Sequence, residues 1–328
     1  MDKKIKIVVI GTGHLGTIHS KLWKKCSKAE LVGIYDIDYS KSHFLANSLD
    51  CKCFHSIEEA LSLADAATIS TPTSFHFQHA LECIEKGVHC FIEKPITDSY
   101  AKAKEIIKLA NEKNVLVQVG HVERFNPGLS QLSNYSVNPL FIEAHRLSQF
   151  KPRAIDVSVI LDLMIHDIDI ILWLIKSKVK SIQANGVSVL TDTIDIANAR
   201  ISFENNAVAN LTASRISMRQ MRKMRMFQKN AYFSIDFAEK ELECYRLVDK
   251  DESDQFDFEL GHNNKKIVLE KPKIADKNAI AEEQLLFAES ILEGKPIAVS
   301  AEDAAKAMCI AEEISNQIEK GFSSILKM

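Results

Sequence analysis

The sequence predicts an α/β protein with two domains: a doubly wound parallel sheet, then an α+β domain with a large open, mainly antiparallel sheet. Length is the first indication, because 328 residues exceed what one typical hydrophobic core organises. The second is the alternation of apolar strand runs with helical patterns over residues 1–122. The third is a series of strand patterns without intervening helices after residue 179. We therefore expect one domain over residues 1–122 and another over residues 123–328.

Composition and charge exclude several kinds of protein. The 41 basic and 44 acidic side chains give a net charge of −3, which argues against a general binder of nucleic acid. The seven cysteines include no Cys-x-x-Cys pair, so we expect reduced thiols in a cytoplasmic protein and no metal site. The longest apolar run, residues 157–175, is interrupted by ionisable side chains, so we expect no membrane span.

A strand, a glycine-rich turn and a helix open the chain. Residues 5–10 form a nearly continuous β-branched run, typical of a strand buried on both faces of a parallel sheet. The turn that follows is Gly11-Thr12-Gly13-His14-Leu15-Gly16. Asp36 closes the next apolar run, 20 positions after Gly16. This is the dinucleotide-binding fingerprint, in which backbone N–H groups reach a pyrophosphate and the carboxylate binds ribose hydroxyls. Because that carboxylate would repel a 2′-phosphate, NAD is favoured over NADP.

The alternation continues to residue 119. We expect strands at 66–70, 88–92 and 115–119 and helices at 56–63, 75–86 and 100–113. Polar motifs follow these strands: Thr71, Pro72, Thr73 and His76, then Glu93, Lys94 and Pro95, then residues 120–127. Because ligands bind at the carboxyl ends of parallel strands, we expect these motifs at the cofactor site. His14 and His19 flank the glycine-rich turn, where we expect them to pack rather than react.

The second half of the chain predicts an open sheet. Expected strands are 140–150, 181–189, 196–204, 207–216, 224–228, 231–236, 241–246 and 265–269, with a hairpin at Asn205-Asn206. Two helices, 279–292 and 300–320, close the chain. Such a sheet, covered by helices on one face, leaves another face for water or a partner. We therefore expect a homo-oligomer, a dimer or tetramer, built through this sheet.

A polar stripe lies within the apolar run 157–175, which we expect to form one helix. Residues three or four apart share a helix face, so Asp162, His166 and Asp169 form this stripe on an otherwise apolar helix. One interpretation is a structural ion pair between Asp162 and His166. The other is an acid/base histidine oriented by a carboxylate.

Five motifs together resemble one family. In order they are Gly11-x-Gly13-x-x-Gly16-x-x-His19, Thr71-Pro72-Thr73-x-x-His76, Glu93-Lys94-Pro95, Gly120 with Arg124-Phe125-x-Pro127, and Asp162-x-x-x-His166. The chain resembles, along essentially its whole length, the glucose-fructose oxidoreductase/inositol dehydrogenase/MocA dehydrogenases. The resemblance implies an N-terminal Rossmann domain that binds NAD and a C-terminal domain for substrate and oligomerisation. It also implies a catalytic set of Lys94, Asp162 and His166.

Two segments are similar to those of UDP-N-acetylglucosamine 3-dehydrogenases within this family. They are residues 120–127 and the segment from Arg146 through Pro152-Arg153 to the His166-Asp167-Ile168-Asp169 ending. The similarity implies oxidation of the C3 hydroxyl of a nucleotide sugar, whose ketone a PLP-dependent aminotransferase then converts to a 3-amino sugar. The alternatives are a dehydrogenase of a free polyol or sugar such as an inositol, and a non-catalytic NAD-binding regulator.

The expected roles follow from the chemistry of alcohol oxidation. His166 is the base, Asp162 orients its ring, and Lys94 stabilises the developing alkoxide, with Lys94 as the alternative base. For the diphosphate and sugar, the candidates are Arg124, Arg146, Arg153 and Asn126. Each arginine has an alternative role in packing or at the surface, and Asn126 has an alternative role in capping the turn before Pro127. The basic residues between 215 and 225 form a further, weaker candidate for phosphate contact.

Overall fold

The computed structural model describes residues 3–150, 157–249, 258–259 and 265–325. The chain forms two compact units. The first unit is Met1–Val122 with Lys277–Cys309, and the second unit is Glu123–Asp276 with Ile310–Met328. The expected second domain, residues 123–328, therefore differs from the observed division. The physical reason is that Phe287 and Ala288, both fully buried, join the hydrophobic cluster of the first unit around Trp23 and Phe91.

A parallel sheet forms the centre of the first unit, as predicted. Its strands are β1 (Ile5–Ile10), β2 (Ala29–Tyr35), β3 (Lys52–Cys53), β4 (Ala66–Ile69), β5 (His89–Glu93) and β6 (Val117–Gly120). Its helices are α1 (His14–Trp23), α2 (Tyr39–Leu49), α3 (Ile57–Leu61), α4 (Thr73–Glu85), α5 (Tyr100–Lys113) and, late in the chain, α8 (Ala279–Glu293). The strand order is β3-β2-β1-β4-β5-β6, and every pairing is parallel. The order reverses beside β1, which is the point where doubly wound sheets bind dinucleotides.

Helix α2 and the short strand β3 are features that the sequence did not predict. The α2 sequence contains three serines and one asparagine, which are weak helix formers, so its pattern is not distinctly helical. Asp38 begins the helix by accepting a hydrogen bond from the Lys41 backbone N–H. Leu45 and Ala46 then pack against Ile34 of β2, so tertiary contacts stabilise the helix.

A nine-stranded sheet forms most of the second unit. Its strands are β7 (Phe141–Leu147), β8 (Val179–Val187), β9 (Ile196–Phe203), β10 (Val208–Ser214), β11 (Met221–Gln228), β12 (Ala231–Asp236), β13 (Glu241–Asp249), β14 (Phe258–Glu259) and β15 (Lys265–Glu270). The order is β14-β15-β13-β12-β11-β7-β10-β9-β8. The pairing of β7 with β10 is parallel and the others are antiparallel, so the mainly antiparallel sheet is confirmed.

The apolar run at 157–175 is not one uniform helix. A π-helical segment, Ile160–Met164, precedes the α-helix α7 (Ile165–Ile175). Helix α7 contacts β7 and β10 and is buried over most of its length, as its apolar sequence indicates. Single π turns inside helices are rare and often occur at functional sites.

The remaining helices are short or lie at the chain's end. Asn126 caps α6 (Pro127–Ser130), which lies between 3-10 turns at Val122–Phe125 and Gln131–Asn134. Helix α9 (Ala301–Ile325) begins after Ser300, whose hydroxyl accepts a hydrogen bond from the Asp303 backbone N–H. Among the described residues, no helix is long and apolar enough to cross a membrane.

Candidate active site

The glycine-rich turn has the geometry of a dinucleotide cradle. Gly11 has a φ of +95°, and a Cβ there would lie 2.9 Å from the Ser70 and Thr71 backbone. A Cβ on Gly16 would lie 1.9 Å from the Gly11 carbonyl oxygen, so α1 approaches the end of β1 too closely for any side chain. A Cβ on Gly13 would meet nothing within 4 Å, so the turn is open at that point.

Open space at Gly13 leaves the start of α1 accessible. Gly13, His14 and Leu15 are exposed there, where the first N–H groups of a helix have no partners within the helix. A pyrophosphate fits such a helix N-terminus because the N–H groups and the helix dipole both favour an anion. These three residues therefore lie where the sequence predicts phosphate contacts.

Asp36 follows β2 and faces the same turn. One carboxylate oxygen accepts hydrogen bonds from the Thr12 backbone N–H at 2.5 Å and from the Thr12 hydroxyl at 2.7 Å. The other oxygen accepts from the Asp38 N–H at 2.9 Å. The carboxylate is half-buried and held at the carboxyl end of β2, which fits an acceptor for ribose hydroxyls.

His76 joins the loops that follow β4 and β5. Its ring is 1% exposed and lies between two carbonyl oxygens, with Nε2 2.8 Å from the Thr71 oxygen and Nδ1 2.9 Å from the Pro95 oxygen. Burial lowers the pKa of His76, and the two carbonyl oxygens only partly oppose this. A neutral ring carries one N–H and donates to one of the two oxygens at a time. His76 therefore ties together the loops that begin with Thr71 and with Lys94.

Lys94 comes directly after β5 and is half-buried, and its peptide bond to Pro95 is cis. The preceding residue, Glu93, is 8% exposed and accepts a hydrogen bond from the Lys94 backbone N–H at 3.2 Å. Its other oxygen lies 2.6 Å from Nε2 of the fully buried His19. Burial raises the pKa of Glu93, but the hydrogen bonds from His19 and from the Lys94 backbone N–H, together with the charge of Lys94, outweigh burial, so its pKa lies below the usual value.

Arg146 of β7 is bound to two carboxylates in the second unit. Its Nε and Nη2 donate to the two oxygens of Asp167 at 3.0 and 2.8 Å, and its Nη1 donates to Glu123 at 2.7 Å. The guanidinium is only 3% exposed. Burial lowers the pKa of Arg146, but the charges of Asp167 and Glu123 outweigh burial and raise it. Arg146 therefore stays a cation whose three nitrogens are already engaged.

Arg124 and Asn126 are also engaged within the second unit. The Nε and Nη2 of Arg124 donate to the two oxygens of the buried Asp169 at 2.7 and 2.6 Å. Asn126 accepts from the Gly128 N–H at 3.0 Å and donates to the Phe237 carbonyl oxygen at 3.0 Å. The substrate roles expected of Arg124, Arg146 and Asn126 stay predictions. The contacts favour the alternative roles, because Asp167 and Asp169 pair with the two arginines and Asn126 caps α6.

Asp162 and His166 occupy the turn where the π segment passes into α7. Asp162 lies within the π segment, His166 is the second residue of α7, and both side chains are half-buried. Partial exposure of these two side chains, in an otherwise buried helical segment, suits groups that exchange protons with a ligand. Arg153 lies outside the described residues. In the parts of the chain that the structure describes, no cluster of histidine, cysteine, aspartate or glutamate is arranged to hold a metal ion.

Sequence reasoning missed several residues of these networks. Gln284 of α8 contacts His19 although the two are far apart in the chain, with its Nε2 2.9 Å from the His19 Nδ1. Glu123 and Asp167 bind Arg146; the sequence places them in the motif segments 120–127 and 166–169 but indicates no role for either. Asp167 follows His166 in a helix whose apolar sequence predicts burial. Because a buried carboxylate needs a cationic partner, its position is the signal that could have indicated one.

Both halves of the chain match models of known protein families. Residues 5–121 match an oxidoreductase family with an NAD-binding Rossmann fold, and residues 133–231 match the GFO/IDH/MocA C-terminal domain. The glycine cradle and Asp36 described above lie in the first of these segments. The chain is thus an NAD-binding oxidoreductase.

The chain is also similar to individual dehydrogenases whose substrates are known by name. The UDP-N-acetylglucosamine 3-dehydrogenase of Acidithiobacillus ferrooxidans is 39% identical over 238 residues, which are 72% of this chain and 75% of that protein. A solved structure of UDP-N-acetylglucosamine 3-dehydrogenase from the same organism superposes with a TM-score of 0.89 and 32% identity, over 97% of this chain and 99% of that one. The scyllo-inositol 2-dehydrogenase (NAD(+)) of Bacillus subtilis is 27% identical over 66% of this chain and 69% of that protein. The chain belongs to the GFO/IDH/MocA oxidoreductase family.

Proposed function

We propose that this chain is an NAD-dependent dehydrogenase that oxidises the C3 hydroxyl of UDP-N-acetylglucosamine to a ketone. The similarity to the Acidithiobacillus ferrooxidans dehydrogenase carries the proposal, because 39% identity extends over 75% of that protein. Fold alone does not fix a substrate. Support from this chain's own residues comes from the cradle with Asp36, and from Lys94 and His166, two half-buried groups able to donate or accept a proton.

Each step of alcohol oxidation has a candidate side chain. Bound NAD supplies the hydride acceptor. His166 takes the hydroxyl proton, and Asp162 orients the imidazole and stabilises its cationic form. Lys94 donates a hydrogen bond to the reacting oxygen and stabilises the negative charge that develops on it. Lys94 is also the alternative base, in which case His166 donates that hydrogen bond.

The substrate's diphosphate needs cations that are not already neutralised. Arg124 and Arg146 form buried pairs with carboxylates, so we assign neither to the diphosphate. Arg153 stays the arginine predicted to bind it, by two parallel N–H donors to phosphate oxygens. Replacing Arg153 by Ala is expected to raise KM for the nucleotide sugar about tenfold or more and to leave NAD binding unchanged.

The open sheet supports the proposal of a homo-oligomer. Four aromatic rings lie in register across neighbouring strands on one face: Phe141 of β7, Phe227 of β11, Tyr232 of β12 and Tyr245 of β13. Successive ring centroids are 5.9, 4.7 and 5.2 Å apart. Phe227 is 38% exposed, whereas the opposite face holds the buried Met224 and Met226. An aromatic row of this kind suits contact with a second copy of the chain. A monomeric mass in light scattering would contradict this assignment.

A 3-keto nucleotide sugar is a substrate for transamination, so we propose a PLP-dependent aminotransferase as the next enzyme. The cytoplasmic location expected from the reduced cysteines likewise stays a prediction. Coupling the two reactions has a practical use, because oxidation of a secondary alcohol by NAD has an unfavourable equilibrium and removal of the ketone draws it forward.

The decisive experiment measures NADH formation from NAD with UDP-N-acetylglucosamine, with and without the coupled aminotransferase. Turnover is expected with the nucleotide sugar and not with free N-acetylglucosamine or inositols. Replacing His166 by Ala is expected to lower kcat about 10²-fold or more if His166 is the base. Turnover of an inositol but not of the nucleotide sugar would refute the proposed substrate, and the protein would still be a dehydrogenase. NAD binding without turnover of any sugar or polyol would favour a regulatory protein.

A further inference from the structure

A buried chain of hydrogen bonds in the first unit connects α8 to the residue before Lys94. Gln284 of α8 is 1% exposed, His19 of α1 is 0% exposed and Glu93 at the end of β5 is 8% exposed. The Gln284 Nε2 lies 2.9 Å from the His19 Nδ1, and the His19 Nε2 lies 2.6 Å from a Glu93 oxygen. The other Glu93 oxygen accepts from the Lys94 backbone N–H at 3.2 Å.

The contacts of Gln284 determine which nitrogen of His19 carries the proton. The Gln284 Nε2 is also 3.2 Å from the His19 carbonyl oxygen, which can only accept, so this atom is the amide nitrogen and acts as a donor. The neighbouring His19 Nδ1 must therefore accept. A neutral ring with Nδ1 as acceptor carries its hydrogen on Nε2, which then donates to Glu93. Doubly protonated His19 would place two donors face to face, so Gln284 opposes that form.

Glu93 is held from three sides. His19 donates to one oxygen and the Lys94 N–H donates to the other. On the third side, a Cβ on Gly120 of β6 would lie only 3.1 Å from the Glu93 carboxyl group, so glycine leaves just enough room for it. Because Lys94 is the next residue, a shift of the Glu93 carboxylate displaces the backbone that carries the Lys94 side chain.

We propose that His19 and Gln284 are positioning residues for Lys94: Gln284 fixes the Nε2–H tautomer of His19, and His19 fixes Glu93 and thereby the Lys94 backbone. The inference rests on the proposed role of Lys94 in catalysis. It assigns a function in the active site to α8, which lies more than 180 residues after Lys94 in the sequence. Neither histidine nor glutamine touches the reacting atoms in this assignment.

Three substitutions separate positioning from simple packing. His19→Leu removes both hydrogen bonds of the ring. His19→Gln places an amide N–H close to the position of Nε2 and keeps the donor to Glu93. Gln284→Leu keeps the bulk of the side chain and removes the donor to Nδ1. His89→Leu is the matched control, because His89 lies at the opposite end of β5 and accepts a hydrogen bond from the Leu116 N–H.

Nuclear magnetic resonance tests the inference without any substrate. In the wild-type protein, ring nitrogen signals that disappear in His19→Gln identify His19, and they are expected to show a neutral Nε2–H tautomer. Gln284→Leu is expected to populate the Nδ1–H tautomer as well, because the donor to Nδ1 is lost. The Lys94 amide resonance is expected to move in His19→Leu and return towards the wild-type position in His19→Gln. An Nδ1–H tautomer in the wild type, or an unmoved Lys94 amide in His19→Leu, overturns the inference.

Kinetics supply the second measurement. On the sugar that the wild type oxidises, His19→Leu is expected to lower kcat about 10²-fold, the scale of an ångström-sized misplacement of a reacting group. His19→Gln should recover most of that loss, and the KM for NAD should change little in either variant. His89→Leu is expected to lower the thermal midpoint and leave kcat unchanged. A normal kcat in His19→Leu with only a lower midpoint means a purely structural role and overturns the inference. Absence of wild-type turnover refutes the proposed function instead, while the resonance measurements still decide the network.

Discussion

Replacing Arg146 by Met tests whether the Arg146 guanidinium is a structural partner of Asp167 or a ligand for the diphosphate of the substrate. The side chain is 3% exposed, and its three nitrogens bind Asp167 and Glu123 at 2.7 to 3.0 Å. Met fills similar space but leaves the Asp167 carboxylate buried without its cation. Removing one partner of a buried ion pair costs about 3–5 kcal/mol of unfolding free energy. For a unit of this size each kcal/mol shifts Tm by about 2–4 °C, so the expected loss is roughly 6–20 °C.

Thermal unfolding by circular dichroism measures this loss. Arg222→Met is the matched control, because Arg222 is 46% exposed and lies 3.9 Å from the same Glu123 oxygen that Arg146 binds. An exposed pair contributes about 0–1 kcal/mol, so this control is expected to lose at most a few degrees. Adding Asp167→Leu to Arg146→Met should restore part of the stability, because the unpaired buried charge is then gone.

The structural reasoning would be refuted by one pattern of results. If Arg146→Met unfolds within about 2 °C of the wild type and raises KM for the nucleotide sugar, Asp167 does not depend on it. Arg146 would then bind the diphosphate, as the sequence suggested, and would exchange its carboxylate partners for phosphate oxygens when substrate binds.

Three further predictions concern the turn, acid stability and cofactor choice. Gly16→Ala is expected to weaken both folding and NAD binding, because its Cβ would lie 1.9 Å from a backbone oxygen. Gly13→Ala, whose Cβ meets nothing within 4 Å, is expected to weaken NAD binding alone. Unfolding curves and NAD titrations of the two variants measure the two effects. Burial raises the pKa of Asp195, but N–H donors from residues 189–191 outweigh burial and lower it to about 2. Because that pKa lies below the unfolded value of 3.8, Asp195 adds about 2 kcal/mol of stability above pH 4 that is lost as the pH falls to 2; Asp195→Asn should flatten this slope in acid-unfolding curves. Asp36→Ser is expected to raise the kcat/KM ratio of NADP to NAD, measured with both cofactors, and an unchanged ratio would contradict its role at the ribose.

The sequence predicts the parallel sheet of the first unit well because local pattern and topology agree there, although it misses α2, β3 and the return of residues 277–309 to this unit. The run at 5–10 predicts a buried strand, and β1 is that strand, with Val8, Val9 and Ile10 fully buried. Once the strands are parallel, their carboxyl ends must share one edge, which places Asp36 beside the glycine-rich turn before any contact is known. The family resemblance, carried by short motifs, is confirmed by matches over both halves of the chain.

The ion pairs of the second unit were beyond sequence reasoning for a physical reason. An arginine in a strand pairs with whichever carboxylate the sheet and helix bring opposite to it. Strand periodicity predicts that Arg146 shares a face with Ala144, but it does not say what lies above that face. The 20 residues between Arg146 and Asp167 include a π segment and a stretch outside the described residues, so no local spacing links the two. A charged residue in apolar surroundings needs a partner of opposite charge, but the sequence does not show which residue that partner is.

The polar residues of α7 acquire different roles once their partners are known. Successive residues of an α-helix are about 100° apart, so Asp167 projects about 100° to one side of His166 and Asp169 about 60° to the other. Arg146 holds the first carboxylate and Arg124 holds the second, each by two hydrogen bonds. Rotating α7 in either direction about its axis would break one of these buried pairs. The two aspartates therefore fix the direction in which His166 points. The predicted stripe combines Asp162 and His166, the two residues proposed for proton transfer, with Asp169, which anchors the helix.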